Sequence, residues 1–151
     1  MVPMGSAYEQ AGVSLGKAES IVNRLRVAVD STRTETVVGE LGGFAGLFAL
    51  DDDRLLVATM DGVGTKLILS RRAKRLRDAG ADLAAHCIND VSTTGADPLF
   101  LLDYAASAQL ELEQVAELVE GAADVCRRFG CAILGGETAE MPDVYASQEI
   151  D

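Results

Sequence analysis

A mixed α/β fold (α+β) of the ferredoxin-like, β-α-β type, with a mixed sheet carrying helices on one side, is the fold class this sequence predicts. Short apolar runs of strand length alternate with stretches whose apolar residues recur at helical spacing. Their order reads helix, strand, strand, helix, strand, helix, strand, which is a β-α-β-α-β core with an added hairpin partner. Three segments couple acids with glycines near strand ends, where open α/β sheets build their ligand sites.

Ala18, Ile21, Val22, Leu25, Ala28 and Val29 recur with helical period, and Lys17, Glu19, Arg24, Arg26 and Asp30 fall largely opposite them, so the first helix is amphipathic. Residues 39–46 follow, with Gly39, Gly42, Gly43 and Gly46 opening backbone conformations closed to other residues. Residues 44–50 and 54–60 read as two antiparallel strands joined by the polar turn Asp51-Asp52-Asp53. Arg71, Arg72, Lys74, Arg75 and Arg77, ending at Asp78-Ala79-Gly80, read as a helix end and a loop with a solvated basic face. Leu83, Cys87 and Val91, with Ala84 and Ile88 beside them, put an apolar stripe on a helix over residues 82–93, with Asp82 as its early-turn acid.

Pro98 introduces a near-continuous apolar run over residues 99–105, suited to a strand covered on both faces. Val115, Leu118, Val119, Ala122, Cys126 and Phe129 mark a long helix closed by Gly130 as a C′ glycine. Residues 131–134 form the last strand, feeding a Gly135-Gly136 turn that presents Glu137 and Glu140. Residues 144–151 are polar and lead to no further element, so the chain reads as cut there. No internal repeat of roughly 20–50 residues and no low-complexity segment is present.

At 151 residues the chain is long enough for one domain that buries about two thirds of its unfolded surface. The formal charge of -11 argues against a sequence-independent grip on nucleic acid, which needs Lys and Arg against phosphates. Acidity does not exclude ATP, because a bridging Mg²⁺ lets carboxylates hold phosphates that they would otherwise repel. No apolar run reaches the roughly 18 residues of a membrane span, and the start lacks a basic region followed by an apolar one. Cys87, Cys126 and Cys131 form an odd set without a C-x-x-C pair, which points to a reducing cytoplasm and gives no nucleophile. His86 stands alone, so a histidine triad or a zinc site of several imidazoles is excluded within the chain, and it reads as a surface or packing residue.

The chemistry rests on three segments. Asp61-Gly-Val-Gly-Thr-Lys66 follows a strand and precedes a helix, with Gly62 and Gly64 allowing close backbone approach to an anion and Lys66 adding a cation. It is not a Walker A loop, which requires a glycine where Thr65 stands, and the same residues also suit a sharp strand-to-helix turn with an exposed acid. Asn89-Asp90, followed by Gly95-Ala96 and Pro98, puts an acid on a helix, either paired with a cation or metal if buried or simply exposed. Gly135-Gly136-Glu137-Thr138-Ala139-Glu140 is the third, and hard oxygen donors gathered from separate elements are what Mg²⁺ takes when it also binds phosphate. Asp103 is either a fourth acid or a turn or cap residue.

Taken together, Tyr8-x-x-Ala-Gly-Val13, Gly39-x-Leu-Gly-Gly-Phe44, Asp61-Gly-Val-Gly-Thr-Lys66, Asn89-Asp90-x4-Gly-Ala-x-Pro98, Phe100-Leu-Leu-Asp-Tyr104 and Gly135-Gly-Glu-Thr-Ala-Glu-Met-Pro142 closely resemble the aminoimidazole ribonucleotide synthetase (phosphoribosylformylglycinamidine cyclo-ligase) family. The resemblance covers the amino-terminal half of the family's usual length. It implies the amino-terminal domain of the PurM-like fold, a homodimer paired through its sheets, with the hairpin of residues 44–60 as the pairing edge, and a cytoplasmic enzyme of purine biosynthesis. It further implies that ATP phosphorylates the formyl-derived amide oxygen of formylglycinamidine ribonucleotide, after which an amidine nitrogen closes the imidazole ring and expels phosphate. On this resemblance Asp61, Asp90 and Glu137 are the Mg²⁺ ligands, meeting around one ion in the folded dimer, and Asp61, Lys66 and Asp90 are the catalytic residues. Gly42, Gly43, Phe44, Gly62, Gly64, Thr65, Lys66, Asn89, Gly136 and Thr138 are the residues for ATP or substrate.

The resemblance also divides the chain. Residues 1–7 become a tag or disordered start, 8–143 an ATP-binding and dimerisation domain, and 144–151 the start of a linker, with the second domain absent. The alternatives are a nucleotide-binding and dimerisation module without catalysis, or a related ATP-dependent enzyme such as formylglycinamidine ribonucleotide synthetase or selenophosphate synthetase. The fragment alone is expected to be inactive.

Overall fold

The computed structural model of the chain describes residues 7–147 and 149–151. Of the start read as a tag, residues 1–6 lie outside the described residues, and Ala7 already opens a helix. The chain divides into two compact units, one of residues up to 43 together with 47–56, the other of residues 44–46 together with 57–151.

The first unit contains α1 (Ala7–Gln10), α2 (Leu15–Asp30) and β1 (Val37–Val38), together with most of β2 (Gly46–Ala49) and the first half of β3 (Leu55–Ala58). Ser14 caps α2: its backbone is extended and its hydroxyl accepts the Lys17 N–H at 3.3 Å. The helix has the predicted stripe, yet Ile21, Val22 and Leu25 remain exposed along it. β1, which the sequence did not signal, pairs antiparallel with β2 through Val37↔Phe48 and Val38↔Leu47. β2 lies between β1 and β3, and the Leu50 N–H donates to Arg54 O at 2.9 Å to close the predicted hairpin. Both hairpin strands are shorter than the apolar runs that announced them. Asp51 bends the chain back at one end, held by the Arg54 guanidinium, which keeps its carboxyl below the usual range.

The second unit carries α3 (Lys66–Arg72), α4 (Leu76–Ser92), β4 (Phe100–Ser107), α5 (Leu112–Phe129) and β5 (Ala132–Glu140). β4 and β5 run parallel in register from Phe100↔Ala132 to Ser107↔Glu140, and α5 is the crossover between them. This is the predicted β-α-β unit, although the strands of the chain fall into two sheets rather than one. Gly130 closes α5 in the left-handed conformation at φ 66°, as its position foretold.

Three expectations change here. Gly135-Gly136 is not a turn: β5 continues through it to Glu140. The register slips beside Leu101 and Leu102, Gly135 takes φ 147°, and a Cβ on Gly136 would stand 2.0 Å from Asp103 O. The glycine pair therefore lets β5 bulge and press against β4 without breaking the ladder. Next, α4 begins at Leu76, well before residue 82. Its first turns hide in the basic stretch, where Lys74, at φ 56°, and Arg75, at φ -131° and ψ 43°, interrupt the helical path between α3 and α4. Last, residues 150–151 do pair: Ala106 and Asp151 exchange N–H to O bonds of 2.8 Å in each direction along β4.

Gly80, which the sequence places in a loop, is where α4 meets α5. A Cβ there would lie 1.9 Å from Leu118 O, and one on Gly121 of α5 would lie 1.8 Å from Arg77 O, so the two helix backbones touch directly. Ala79 and Ala84 are fully buried beside this crossing and Ala122 nearly so. Arg77 reaches across to Glu120 and Asp124 of α5, and its hydrogen bond holds the Asp124 carboxyl below the ordinary range.

One cluster under the crossing joins Ala84, Ala122, Cys126 and Cys131 with Leu101 and Ile133 from the sheet; a second joins Leu67, Leu76 and Ala79 with Val63 and Leu118. Only one face of β4 and β5 is covered in this way. Phe100, Leu102 and Leu134 on the alternate positions are 49%, 65% and 65% exposed, so the strand expected to be covered on both faces is covered on one.

Gly121→Ala is expected to lower the unfolding free energy in urea by about 3 kcal/mol or more, because the added methyl overlaps a backbone carbonyl that packing holds in place. Gly16→Ala, in α2 with open space around it, is expected to be neutral or to stabilise by less than about 1 kcal/mol. Burial, then Cys131, pushes the Cys126 thiol from 9.0 up to about 11, so the folded state keeps that proton longer than the unfolded one. Stability should therefore fall as pH rises from about 9 to about 11, and Cys126→Ala should flatten that slope in urea titrations across the range.

Candidate functional site

The second unit gathers acids at the amino-terminal approach to α3. Past β3, the Thr59 hydroxyl lies 2.8 Å from Phe44 O and 3.1 Å from Asp90 Oδ2, and its single proton serves one of them at a time. Asp61 follows. Its Oδ1 accepts the N–H of Gly62 at 2.7 Å, which turns the carboxylate onto its own loop, while Oδ2 stands 3.8 Å from His86 Nδ1. Gly64 takes the left-handed φ of 67° that bends the chain into α3, and the Leu67 N–H donates back to its carbonyl at 3.0 Å.

His86, Cys87 and Asp90 project from neighbouring turns of α4, and the Cys87 thiol records the company it keeps. Burial raises its pKa first; the charges of Asp61 and Asp90 raise it further, while a hydrogen bond with the Asp61 backbone acts against them. Asp61 and Asp90 are thus brought together from a strand end and a helix, around Thr59, His86 and Cys87. Those three were missing from the sequence-derived set. The spacing of His86 and Asp90, four apart on a helix, was the available signal.

The other expected residues distribute as follows. A Cβ on Gly62 or Gly64 would meet nothing within 4 Å, so the backbone there is open to a ligand. Thr65 occupies the N-cap position of α3 without a capping side-chain hydrogen bond, and Lys66 pairs with Asp82 Oδ2 at 2.7 Å, both side chains roughly half exposed. Asn89 is exposed on α4 beside Asp90, and Phe44 is 73% exposed. Gly42, in the first unit next to Gly43, takes φ 127° with open space beside it.

On β5, Gly136 packs against Asp103, while Glu137 and Thr138, opposite Tyr104 and Ala105, are exposed. Asp103 is therefore a mid-strand residue, not a turn or cap. Glu140 serves the fold, because its Oε1 accepts the Leu110 N–H at 2.9 Å ahead of α5.

Among the described residues, no three of His, Cys, Asp and Glu converge as a protein-built metal cage, and the single chain does not collect Asp61, Asp90 and Glu137 into one such group. Mg²⁺ seldom needs a cage. It usually keeps several waters and takes one or two carboxylates together with substrate phosphates, and the Asp61 and Asp90 carboxylates fit that donor set. Chemically, the arrangement can hold a hydrated divalent cation against phosphate oxygens beside a glycine turn with an open backbone.

A family model described as "AIR synthase related protein, N-terminal domain" matches residues 42–150. Curated relatives named phosphoribosylformylglycinamidine cyclo-ligase include that of Alkaliphilus metalliredigens (strain QYMF), 49% identical over 95% of this chain and 43% of the relative. That of Oleidesulfovibrio alaskensis (strain ATCC BAA-1058 / DSM 17464 / G20) is 47% identical over 96% of this chain and 42% of its own length. That of Synechococcus sp. (strain CC9311) is 50% identical over 95% and 42%. The chain thus spans less than half the length of the curated relatives it matches.

Among solved structures, AaThiL complexed with AMPPCP and TMP superposes with a TM-score of 0.66 at 15% identity, over 85% of this chain and 40% of that one. Thiamine monophosphate kinase from Aquifex aeolicus gives 0.58 at 17% identity, with the same coverage. At such identity the likeness is one of fold.

Proposed function

The chain belongs to the family of AIR synthase related proteins, and from that premise we propose that it is the amino-terminal part of an ATP-dependent phosphoribosylformylglycinamidine cyclo-ligase acting in the cytoplasm. In the proposed reaction the γ-phosphoryl group of ATP passes to the formyl-derived amide oxygen of formylglycinamidine ribonucleotide, the bond to ADP breaking as the new P–O bond forms. An amidine nitrogen then attacks the activated carbon and loses a proton, the C–O bond to phosphate breaks, and aminoimidazole ribonucleotide is left. Such chemistry asks for alignment and charge neutralisation more than for a nucleophile. That requirement agrees with Cys126 and Cys131, which are buried in the core.

The observation that carries the reading is the approach of Asp61 and Asp90 to the same turns of α4, Asp61 Oδ2 standing 3.8 Å from His86 Nδ1 and Asp90 Oδ2 3.1 Å from the Thr59 hydroxyl, next to the open Gly62 and Gly64 backbone. In this proposal Asp61 and Asp90 hold the cation side of the triphosphate, and Glu137 completes the set in the homodimer. Bound Mg²⁺ would neutralise phosphate charge and align the oxygens. Lys66, released from Asp82, contacts phosphate. Gly42, Gly43, Phe44, Thr65, Asn89, Gly136 and Thr138 are the proposed contacts to nucleotide or substrate.

A second reading is a module that binds nucleotide and dimerises without turning over substrate. The apolar face of Phe100, Leu102 and Leu134 and, separately, the exposed Phe48, Leu50 and Leu55 of the hairpin support a homodimer, since such patches are covered by partners more often than left to water.

Calorimetry on the chain should show binding of Mg²⁺-ATP that Asp61→Asn and Asp90→Asn each weaken tenfold or more, by roughly 1.4 kcal/mol. In the longer parent protein, formation of ADP and aminoimidazole ribonucleotide should fall by about 100-fold or more in either variant. Nucleotide binding with neither product formed by the parent would select the module. Sedimentation should give twice the chain mass, reduced to the monomer by Leu102→Asp, and a wild-type monomer would reject the dimer.

A further inference from the structure

A recess of about 750 Å³ opens in the second unit between the end of α3, the loop ahead of α5 and the segment that follows β5. Arg71, Arg72 and Lys74 line one side of it, and among the described residues their side chains have no ion pair or hydrogen bond. Their neighbours in sequence behave otherwise. Lys66, Arg75 and Arg77 are each bonded to a carboxylate. In a chain with 24 acidic and 13 basic residues, three adjacent cations left unpaired around one concavity form a local positive site in an otherwise repulsive field for anions.

Glu111 and Asp143 also line the recess without forming ion pairs with these cations, and Gln109 and Gln114 add amide groups. The recess thus offers donors for a phosphate on one side and acceptors for hydroxyls on the other. We propose that this recess binds a small phosphomonoester of a polyol, with the phosphate on Arg71, Arg72 and Lys74 and the hydroxyls on Glu111, Asp143 and the two glutamines.

The site is built rather than incidental. Ser107, 3% exposed, has its hydroxyl 2.8 Å from Gln109 O and 2.7 Å from Glu149 O, its single proton serving one of them at a time, and accepts the Gln109 N–H at 3.3 Å, which places it between the two loops that form the walls. The Met141 N–H donates to Ser107 O at 2.8 Å and Glu140 takes the Leu110 N–H, fixing the same loops from the β5 side. Lys74 and Asp143, both lining the recess, are the two non-glycine residues with positive φ among those described, at 56° and 71°. Arg71, Arg72 and Lys74 also suit the carboxyl end of α3, where Lys74 takes the left-handed position after the C-cap and the Arg75 N–H closes the helix on Ser70 O at 2.8 Å. The recess is distinct from the carboxylate site. Asp61 precedes the amino end of α3, and the cations sit at the far end of its 7 residues, roughly 10 Å away along the axis.

The test is calorimetry on the full chain in EDTA, with glucose 6-phosphate as probe and glucose and inorganic phosphate as comparisons; without free Mg²⁺ it is blind to the carboxylate site. Glucose 6-phosphate should bind more tightly than either comparison, and more weakly as salt is added. The double substitution Arg71→Gln with Arg72→Gln should lower its affinity about tenfold or more, the loss expected from removing charge-assisted hydrogen bonds. Lys74→Gly removes a cation where glycine suits the backbone, so it should weaken binding while leaving the melting temperature unchanged or raised. Asp61→Asn should leave the affinity unchanged. No binding by the wild-type chain, equal affinity in the cation variants, glucose 6-phosphate no tighter than phosphate, or loss of binding in Asp61→Asn would each overturn the assignment.

Discussion

The contact between the backbones of α4 and α5 is the constraint on which the second unit depends. Two helices approach this closely only where neither presents a side chain, and Gly80 and Gly121 meet that condition from opposite sides, each facing a carbonyl of the other helix. The small, fully buried Ala79 and Ala84 keep the surfaces flat beside them. Larger residues would fill the gap with rotamers instead of dispersion contacts between backbones, and the helices would separate. With the crossing fixed, α5 returns the chain for β5 to run parallel to β4, and Gly136 admits a similarly close approach between the strands.

The same crossing determines where the chemistry can stand. α4 carries His86, Cys87 and Asp90 on neighbouring turns, and its position against α5 decides which of its faces is left for the loop after β3. Asp61 stands against that face where Gly64, at φ 67°, bends the following loop into α3, and its carboxylate is steadied by the Gly62 N–H. Ile88, on the opposite side of the same helix, is buried. One helix therefore divides its labour, with one side packed to hold the unit together and the other presenting acids.

Charge is divided in a comparable way around α3. Acids and an open glycine turn precede its amino end, and unpaired cations gather at its carboxyl end. A protein of net charge -11 repels free phosphates on average, so any phosphate it binds must come with a cation or find a local excess of basic residues. The two ends of α3 correspond to these two solutions.

Much of this was readable in the chain. The helical stripes of α2 and α5, the Gly130 cap, the Asp51–Asp53 hairpin and the crossover into β5 followed from periodicity and turn chemistry, because these depend on neighbours within a few residues. The acid and glycine segments were visible for the same reason, as was the family resemblance that they carry. What could not be read locally was anything decided by a distant partner. Gly80 looks like a helix terminator until Leu118 is known to lie against it, and Gly135-Gly136 looks like a turn until Asp103 is seen to occupy the space of a Cβ. Thr59, His86 and Cys87 acquire meaning only when residues distant in sequence are folded onto one helix face. Sequence by itself determined the local elements and the kinds of chemical group available. Tertiary structure alone decided which groups meet, since glycine encodes close approach and flexibility alike, and only the packed partner distinguishes them.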